Sequence, residues 1–405
     1  MKHSEYTLIG IDGGATKVSG WIVEELKDEQ SYSLSDHNVE LPYASIDGHI
    51  SDFVPVEIQE QLPQRESGNI DITDTEIVQG QTYIEATARV IKDLYAHGGE
   101  RPLLIGIGMP GLKTADQRGI NAIANGPRMP EYCRSLENKL KADGISLLSP
   151  VARLGSDADY CGIGEYYAAE GSFRNVSNAY YLGGGTGAAD AIILKGELIP
   201  FDQIKYWMAK TWEMKNDLDL SLERYASASG LQYIYSLHSG KSIESLNKSK
   251  IYPPQIATFA AEGEEAAIKT YREAATYLAM LIFERISTLF CGSIGLLNLV
   301  NPNRNLLESV HRYRGEIFEQ IVIGQRLGDL MASTTGQEVL TQPFLLELSS
   351  LINNSDCIPK QKKNDYLKSG IFDEAKLVFS KLREAPALGA GIDAHLTHIS
   401  QPKNM

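Results

Sequence analysis

"IGIDGGATK" (residues 9–17) puts an aspartate, two glycines, a threonine and a lysine into one tight turn directly after a run of strand residues. Gly13 and Gly14 carry no Cβ, so the backbone there can reach positive φ and bring its amides close to a ligand. Thr16 adds a hydroxyl and Lys17 a cation, and Asp12 offers a carboxylate able to hold Mg²⁺ through water. An anion nest beside a carboxylate for the metal is what a nucleoside triphosphate requires. The same residues also suit a plain Asp-Gly hairpin between "YTLIGI" (6–11) and "VSGWIVE" (18–24), both rich in β-formers. No GxxxxGK[ST] pattern occurs, which excludes a Walker A loop.

Outward from that turn, the chain repeats itself. "GGGTG" (183–187) lies about 170 residues on, again between two strand-like stretches in "AYYLGGGTGAADAIILKGELI". Gly185, Thr186 and Gly187 there offer a second phosphate turn, and two such hairpins imply an internally duplicated architecture. In the first half, the order strand, strand, strand, helix ("QTYIEATARVIKDLYA", 81–96), strand ("PLLIGIGMPG", 102–111) predicts a mixed-sheet α/β lobe rather than a doubly wound half. Residues 263–290 give the longest predicted helix, with an acidic first turn that suits the helix dipole. Between the hairpins, "RLGSDADYCGIGE" (153–165) reads as a short strand running into a helix of small residues that starts at Asp157. Phosphoryl transfer to a hydroxyl needs a carboxylate within hydrogen-bond reach of that hydroxyl, and Asp157 is the candidate. Equally, Ser156 or Asp157 could simply cap the helix.

Bulk composition narrows the function classes. At 405 residues the chain exceeds what one core usually supports, so two lobes are expected. A net charge of −14 argues against a nucleic-acid surface. Cys133, Cys161, Cys291 and Cys357 are scattered with no CxxC pair, which reads as buried thiols in a reducing cytoplasm. No stretch is read as reaching the roughly 18 apolar residues of a membrane helix, and no membrane partner is expected.

Taken together, these stretches resemble the ROK family (repressors, open reading frames and kinases) of sugar kinases, within the actin/hexokinase/Hsp70 superfamily of two-lobed ATP-binding proteins. The resemblance spans nearly the whole chain, in the family's order. It implies an α/β, two-lobed actin-like ATPase (ribonuclease H-like) fold, with duplicated mixed β-sheet domains and an interdomain cleft. The small lobe would take residues 1–115 with a C-terminal helix at 385–405, and the larger lobe 116–384. "IGIDGGATK" is similar to the family's first phosphate motif and "GTGAADAIILKGEL" (185–198) to its second. "IGIGMPG" (105–111) resembles the sugar-side strand and turn, with Gly111, and "ANGPRMP" (124–130) resembles more loosely the segment whose Asn, here Asn125, faces the sugar. "SDADYCGIGE" (156–165) resembles the start of the catalytic helix, with Asp157 as general base and Glu165 as a structural acid. "LERYASASGL" (222–231) looks like the segment whose Glu, here Glu223, helps hold the sugar. "IVIGQRLG" (321–328) sits where the adenosine-side strand and its glycine, Gly324, belong, and "ALGAGIDA" (387–394) resembles the closing helix. A group of BadF/BcrA-type kinases and ATPases shares the first turn, but "LERYAS" and "MPG" favour ROK.

The departures are as informative. Between residues 199 and 223 there is neither His nor Cys, so the family's Glu-x-Gly-His pair and its zinc loop are missing and no zinc is expected. Tyr206, Trp207 or Lys210 could replace those sugar contacts, or Trp207 could be core. Ser156 stands where the family has Asn. Ala188, Ala189 and Asp190 replace glycines, and the Asp190 carboxylate would repel a γ-phosphate unless it points away or meets Mg²⁺. Gln325 and Arg326 replace a glycine pair, where they could narrow the adenine pocket or stack on the base. The resemblance thus implies a cytoplasmic, homodimeric ATP- and Mg²⁺-dependent kinase of a small-molecule sugar or polyol, with no nucleic-acid partner. The alternative is a catalytically inactive sugar-binding sensor without a DNA-binding domain; a chaperone or actin-like ATPase is a third.

Overall fold

A computed structural model of the chain describes residues 5–26, 31–301, 304 and 310–400. The last five residues of the expected C-terminal segment, 401–405, lie outside the described residues. Two compact units result, Met1–Ala169 with Glu384–Met405 and Glu170–Arg383.

The first unit is built on a five-stranded sheet. β1 (Thr7–Gly13) and β2 (Lys17–Leu26) form the hairpin around the first glycine turn, and β3 (Ser31–Pro42) pairs antiparallel with β2. The chain then reaches α1 (Asp74–His97), which opens on a capping box between Thr73 and Glu76. β4 (Leu103–Gly108), buried at every position, pairs parallel with β1. β5 (Leu154–Gly155) pairs parallel with β4, giving the order β3-β2-β1-β4-β5. α2 (Asp157–Tyr167) follows directly.

The second unit repeats this plan. β6 (Ala179–Gly184), β7 (Ala188–Leu194) and β8 (Glu197–Leu198) are antiparallel neighbours around the second glycine turn. α3 (Glu265–Cys291) is a core helix, capped by the Glu264 side chain on the Ala267 amide. β9 (Gln320–Gly324) pairs parallel with β6, α4 (Gln325–Ala332) follows, and β10 (Leu377–Phe379) closes the order β8-β7-β6-β9-β10. The two sheets share one topology, which is the duplication expected from the two turns. Each has its own core, around Ile9, Ile11, Ile105 and Ile107 in the first unit and around Leu182, Ile192, Leu281 and Ile323 in the second.

α5 (Ala385–Ser400) returns to the first unit and explains its small-residue sequence. It lies directly on the sheet: a Cβ on Gly10 would sit 1.9 Å from the Ala387 carbonyl oxygen, and one on Gly106 1.8 Å from that of Ala390. Only glycine permits backbone contact this close.

Three expectations need correction. The first unit extends past residue 115 to Ala169, because β5 completes its sheet and α2 packs on α5; a two-residue strand leaves no periodicity to read. Cys291 and Cys357 are joined in a disulfide, Cα atoms 5.9 Å apart, where the end of α3 meets the chain after the helix Gln342–Asn354; Cys133 and Cys161 stay buried thiols. Finally, α3 is long and apolar enough to cross a membrane, but most of that stretch is buried inside its unit, as a core helix is.

Candidate functional site

The first turn stands on a tyrosine pair. Gly14 N–H donates to the Lys17 carbonyl (2.9 Å), closing the hairpin. Tyr43 N–H donates to the Thr16 carbonyl (3.0 Å) and the Tyr83 hydroxyl to that of Ala15 (2.8 Å), while the two rings stack at 3.6 Å. The Tyr43 hydroxyl is buried without a partner; burial, then Tyr132, Tyr83, Asp12 and Asp157, hold it well above its usual pKa. The Lys17 ammonium pairs with Glu40 on β3, with Ser19 Oγ on the same carboxylate at 3.2 Å, so it is engaged across the hairpin rather than over the turn.

Asp12 is the last residue but one of β1, opposite Gly108 of β4. Burial, then the charges of Asp157 and Glu384, raise its carboxyl well above the usual range against the pull of Lys17. One residue on, a Cβ at Gly13 would sit 1.9 Å from Met109 Sδ, so the missing side chain is the seat of Met109. Met109 N–H in turn donates to the Gly155 carbonyl (3.2 Å). The turn at residues 109–111 is thereby fixed between the glycine hairpin and the start of α2.

Asp157 is the first residue of α2. The cap is Ser156: its Oγ accepts from Asp159 N–H at 3.1 Å and donates to Asp159 Oδ2 at 2.7 Å. Asp157 is thus released from capping, and its Oδ1 is buried with no hydrogen-bond partner. Burial raises its pKa, opposed by the Lys113 ammonium and its own N–H. Lys113 holds the neighbouring turn through the carbonyls of Met109, Pro110 (3.3 Å) and Gly111 (2.9 Å). Gly111 sits at φ 92°, a conformation suited to glycine. Glu165 is fully buried further along α2.

Asn125 is exposed, on a segment anchored by Arg128. The Arg128 guanidinium, 1% exposed, pairs with Glu76 at the start of α1 (2.7 Å) and reaches Gln64 and the Asp71 carbonyl.

In the second unit, Gly185 N–H donates to the Gly187 carbonyl (3.0 Å), the counterpart of the first turn's closure. Glu223, expected on the sugar, has its Oε1 on Ala188 N–H (3.0 Å) and holds this hairpin; Asp157, Gly111 and Asn125 belong to the other unit. Asp190 points away from the turn into the core. It accepts from the Tyr180 hydroxyl (2.5 Å), Thr211 N–H (2.8 Å), Thr211 Oγ1 (2.6 Å) and Arg285 (3.0 Å). Trp207 is buried and stacked on His311 at 4.0 Å, so it is core; Tyr206 is exposed, and Lys210 lies 3.5 Å from Asp202. Gly324 ends β9 beneath the Tyr181 ring. Tyr43, Lys113 and Glu384 belong to no motif and carry no signal in the sequence; only the closeness of β1, β4 and α2 reveals them.

No family model and no curated protein matches the chain. Among solved structures, the ROK family glucokinase from Streptomyces griseus, in complex with glucose and AMPPNP, aligns with a TM-score of 0.56 at 14% identity, over 96% of this chain and 99% of that one. The chain has the fold of the ROK sugar kinases. The ROK hexokinase from Thermus thermophilus aligns at 0.55 and 16% identity, over 98% and 100%. A ROK family transcriptional regulator, homologous to the E. coli MLC protein, aligns at 0.53 and 12%, over 97% and 79%. Kinases and a regulator share this fold, so activity has to be argued from the residues.

Proposed function

We propose that the chain is an ATP-dependent kinase that transfers the γ-phosphoryl group to a hydroxyl of a hexose, amino sugar or related polyol. The observation that carries this reading is the Asp157 carboxylate, with Oδ1 buried and unpartnered while Ser156 takes the cap. A helix that needs only a cap has no use for a second, unsatisfied buried carboxylate oxygen. A general base awaiting a substrate hydroxyl does.

In this reading Asp157 Oδ1 accepts the hydroxyl proton as the acceptor oxygen bonds to the γ-phosphorus and the bond to the β–γ bridging oxygen breaks, leaving ADP. Lys113 opposes the rise that burial gives the Asp157 pKa and ties down the 109–111 turn, so Gly111 presents a fixed backbone to the acceptor. Asn125, Ser156 and Glu223 are assigned to the sugar side. Asp12, Gly13, Gly14, Thr16 and Lys17 in the first unit are assigned to ATP, as are Gly185, Thr186, Gly187 and Gly324 in the second. Asp12 fits Mg²⁺, which needs one or two protein carboxylates beside phosphates and water. A carboxyl held protonated by burial and by Asp157 is one a cation would return to its charged form. Asp12 supplies one carboxylate and phosphates and water would supply the rest, so the ion would arrive with the nucleotide. Bound there, it would neutralise charge on the transferring phosphate. A cytoplasmic homodimer is the setting that accompanies this reading.

The test is ADP release from Mg-ATP against a panel of hexoses, amino sugars, N-acetyl sugars and polyols, with a control lacking acceptor. Acceptor-dependent release is expected. Release without acceptor would make the protein an ATPase, and sugar binding without release would make it a sensor.

A further inference from the structure

The second glycine turn is approached by a group that the kinase reading leaves unused. β9 ends at Gly324, and the next residue, Gln325, takes φ 57°, a left-handed conformation that side chains rarely adopt. That kink lays the Gln325 side chain against the turn: a Cβ on Gly185 would fall 2.6 Å from Gln325 Oε1. Arg326 follows and reaches the tip, its Nη2 donating to Thr186 Oγ1 at 3.0 Å. Arg326 is exposed, and among the described residues it forms no ion pair. The nearby acids are engaged elsewhere: Asp329 with Arg383 at 2.9 Å, and Glu223 with the Ala188 amide on the other side of the turn. A guanidinium carries five N–H donors in a planar fork matched to phosphate oxygens, and Thr186 occupies one.

We propose that Arg326 and Thr186 together bind an oligophosphate chain at the second hairpin, making Arg326 a determinant of donor specificity. A strained residue between Gly324 and Arg326 has a purpose if it aims the arginine at the turn; an arginine meant only for solvent needs no such aim. The ligand chemistry is a chain of linked phosphates, supplied by a nucleotide or by inorganic polyphosphate. The inference rests on the kinase reading for its role in turnover but not for binding.

The test is titration calorimetry with Mg²⁺ and three probes, AMPPNP, tripolyphosphate and adenosine, on the wild type, Arg326→Met and Arg326→Lys. Loss of one charge-assisted phosphate contact predicts AMPPNP binding weakened roughly tenfold to a hundredfold in Arg326→Met. Adenosine affinity should be unchanged, and Arg326→Lys should recover part of the loss. Wild-type binding of tripolyphosphate that Arg326→Met weakens would mark the chain alone as sufficient; binding of AMPPNP only would mark a nucleotide donor. Equal AMPPNP affinity in the wild type and Arg326→Met, or no binding of either phosphate probe to the wild type, overturns the proposal. If acceptor-dependent ADP release continues in that case, the kinase reading survives alone. If Arg326 controls binding but no acceptor is ever phosphorylated, the reverse holds.

Discussion

The two units share one sheet topology and one glycine hairpin, yet they treat a buried acid in opposite ways. In the second unit, Asp190 at the hairpin is neutralised by Arg285 and by hydroxyl and amide donors from Tyr180 and Thr211. In the first, Asp12 and Asp157 share a buried environment with no cation in salt-bridge contact among the described residues, and both carboxyls are raised. A fold that satisfies its charges in one copy and leaves them unsatisfied in the other has kept the second set for something that binds there. Duplication supplies the control: the scaffold alone does not require the imbalance.

Substitution should cost most at the unsatisfied end. Asp157→Asn removes the proton acceptor while keeping its shape, so acceptor-dependent turnover should fall by roughly 10²–10⁴ with nucleotide affinity unchanged. Turnover close to the wild type would make the buried Oδ1 a structural accident and erase the contrast between the units. The satisfied end should respond in stability instead. Arg285→Met strands Asp190 in a core where both side chains are nearly inaccessible. Urea unfolding should show a loss of about 3–5 kcal/mol, and adding Asp190→Asn should restore part of it.

The fold was legible where physical signals repeat. Two glycine turns between apolar strands, a continuously apolar β4 and a small-residue terminal helix each have one structural solution. The candidate site was legible only in part. Asp12 and Asp157 stand at strand and helix ends that the pattern marks, whereas Tyr43, Lys113 and Glu384 come to them from segments with no pattern. Asp190 shows the reverse: an acid beside a glycine turn reads as a phosphate-side group until Arg285, 95 residues on, claims it. Cysteine spacing failed for the same reason, since Cys291 and Cys357 are 66 residues apart and only the packing of α3 joins them. Closing a loop of that length stabilises by about 4 kcal/mol in the chain-entropy account, with strain reducing it. Reductant should therefore lower the urea midpoint, and the unfolded, unreduced protein should titrate two thiols rather than four. Four thiols without reductant would restore the reading of an all-thiol chain.

The two units also differ in how each holds its cation. Arg285 in the second unit is bonded to its acid, whereas Lys113 in the first donates only to turn carbonyls and acts on Asp157 as a nearby charge. Burial lowers the Lys113 pKa to about 8, against the pull of Asp157 and Asp159 and a weaker one from Cys133. An unfolded lysine titrates near 10.4. Between about 8 and about 10.4 the unfolded chain therefore holds a proton that the folded chain has released, so this residue makes stability rise with pH across that window. Below about 8 both forms are protonated and its contribution is flat. Lys113→Met should remove the rise, seen as a smaller gain in unfolding free energy from pH 7.5 to pH 10 than in the wild type. An unchanged gain would mean the ammonium is solvated after all. It would then neither stiffen the 109–111 turn nor oppose the rise that burial gives the Asp157 pKa, and the first unit would have lost the cation that distinguishes a poised base from two acids buried together.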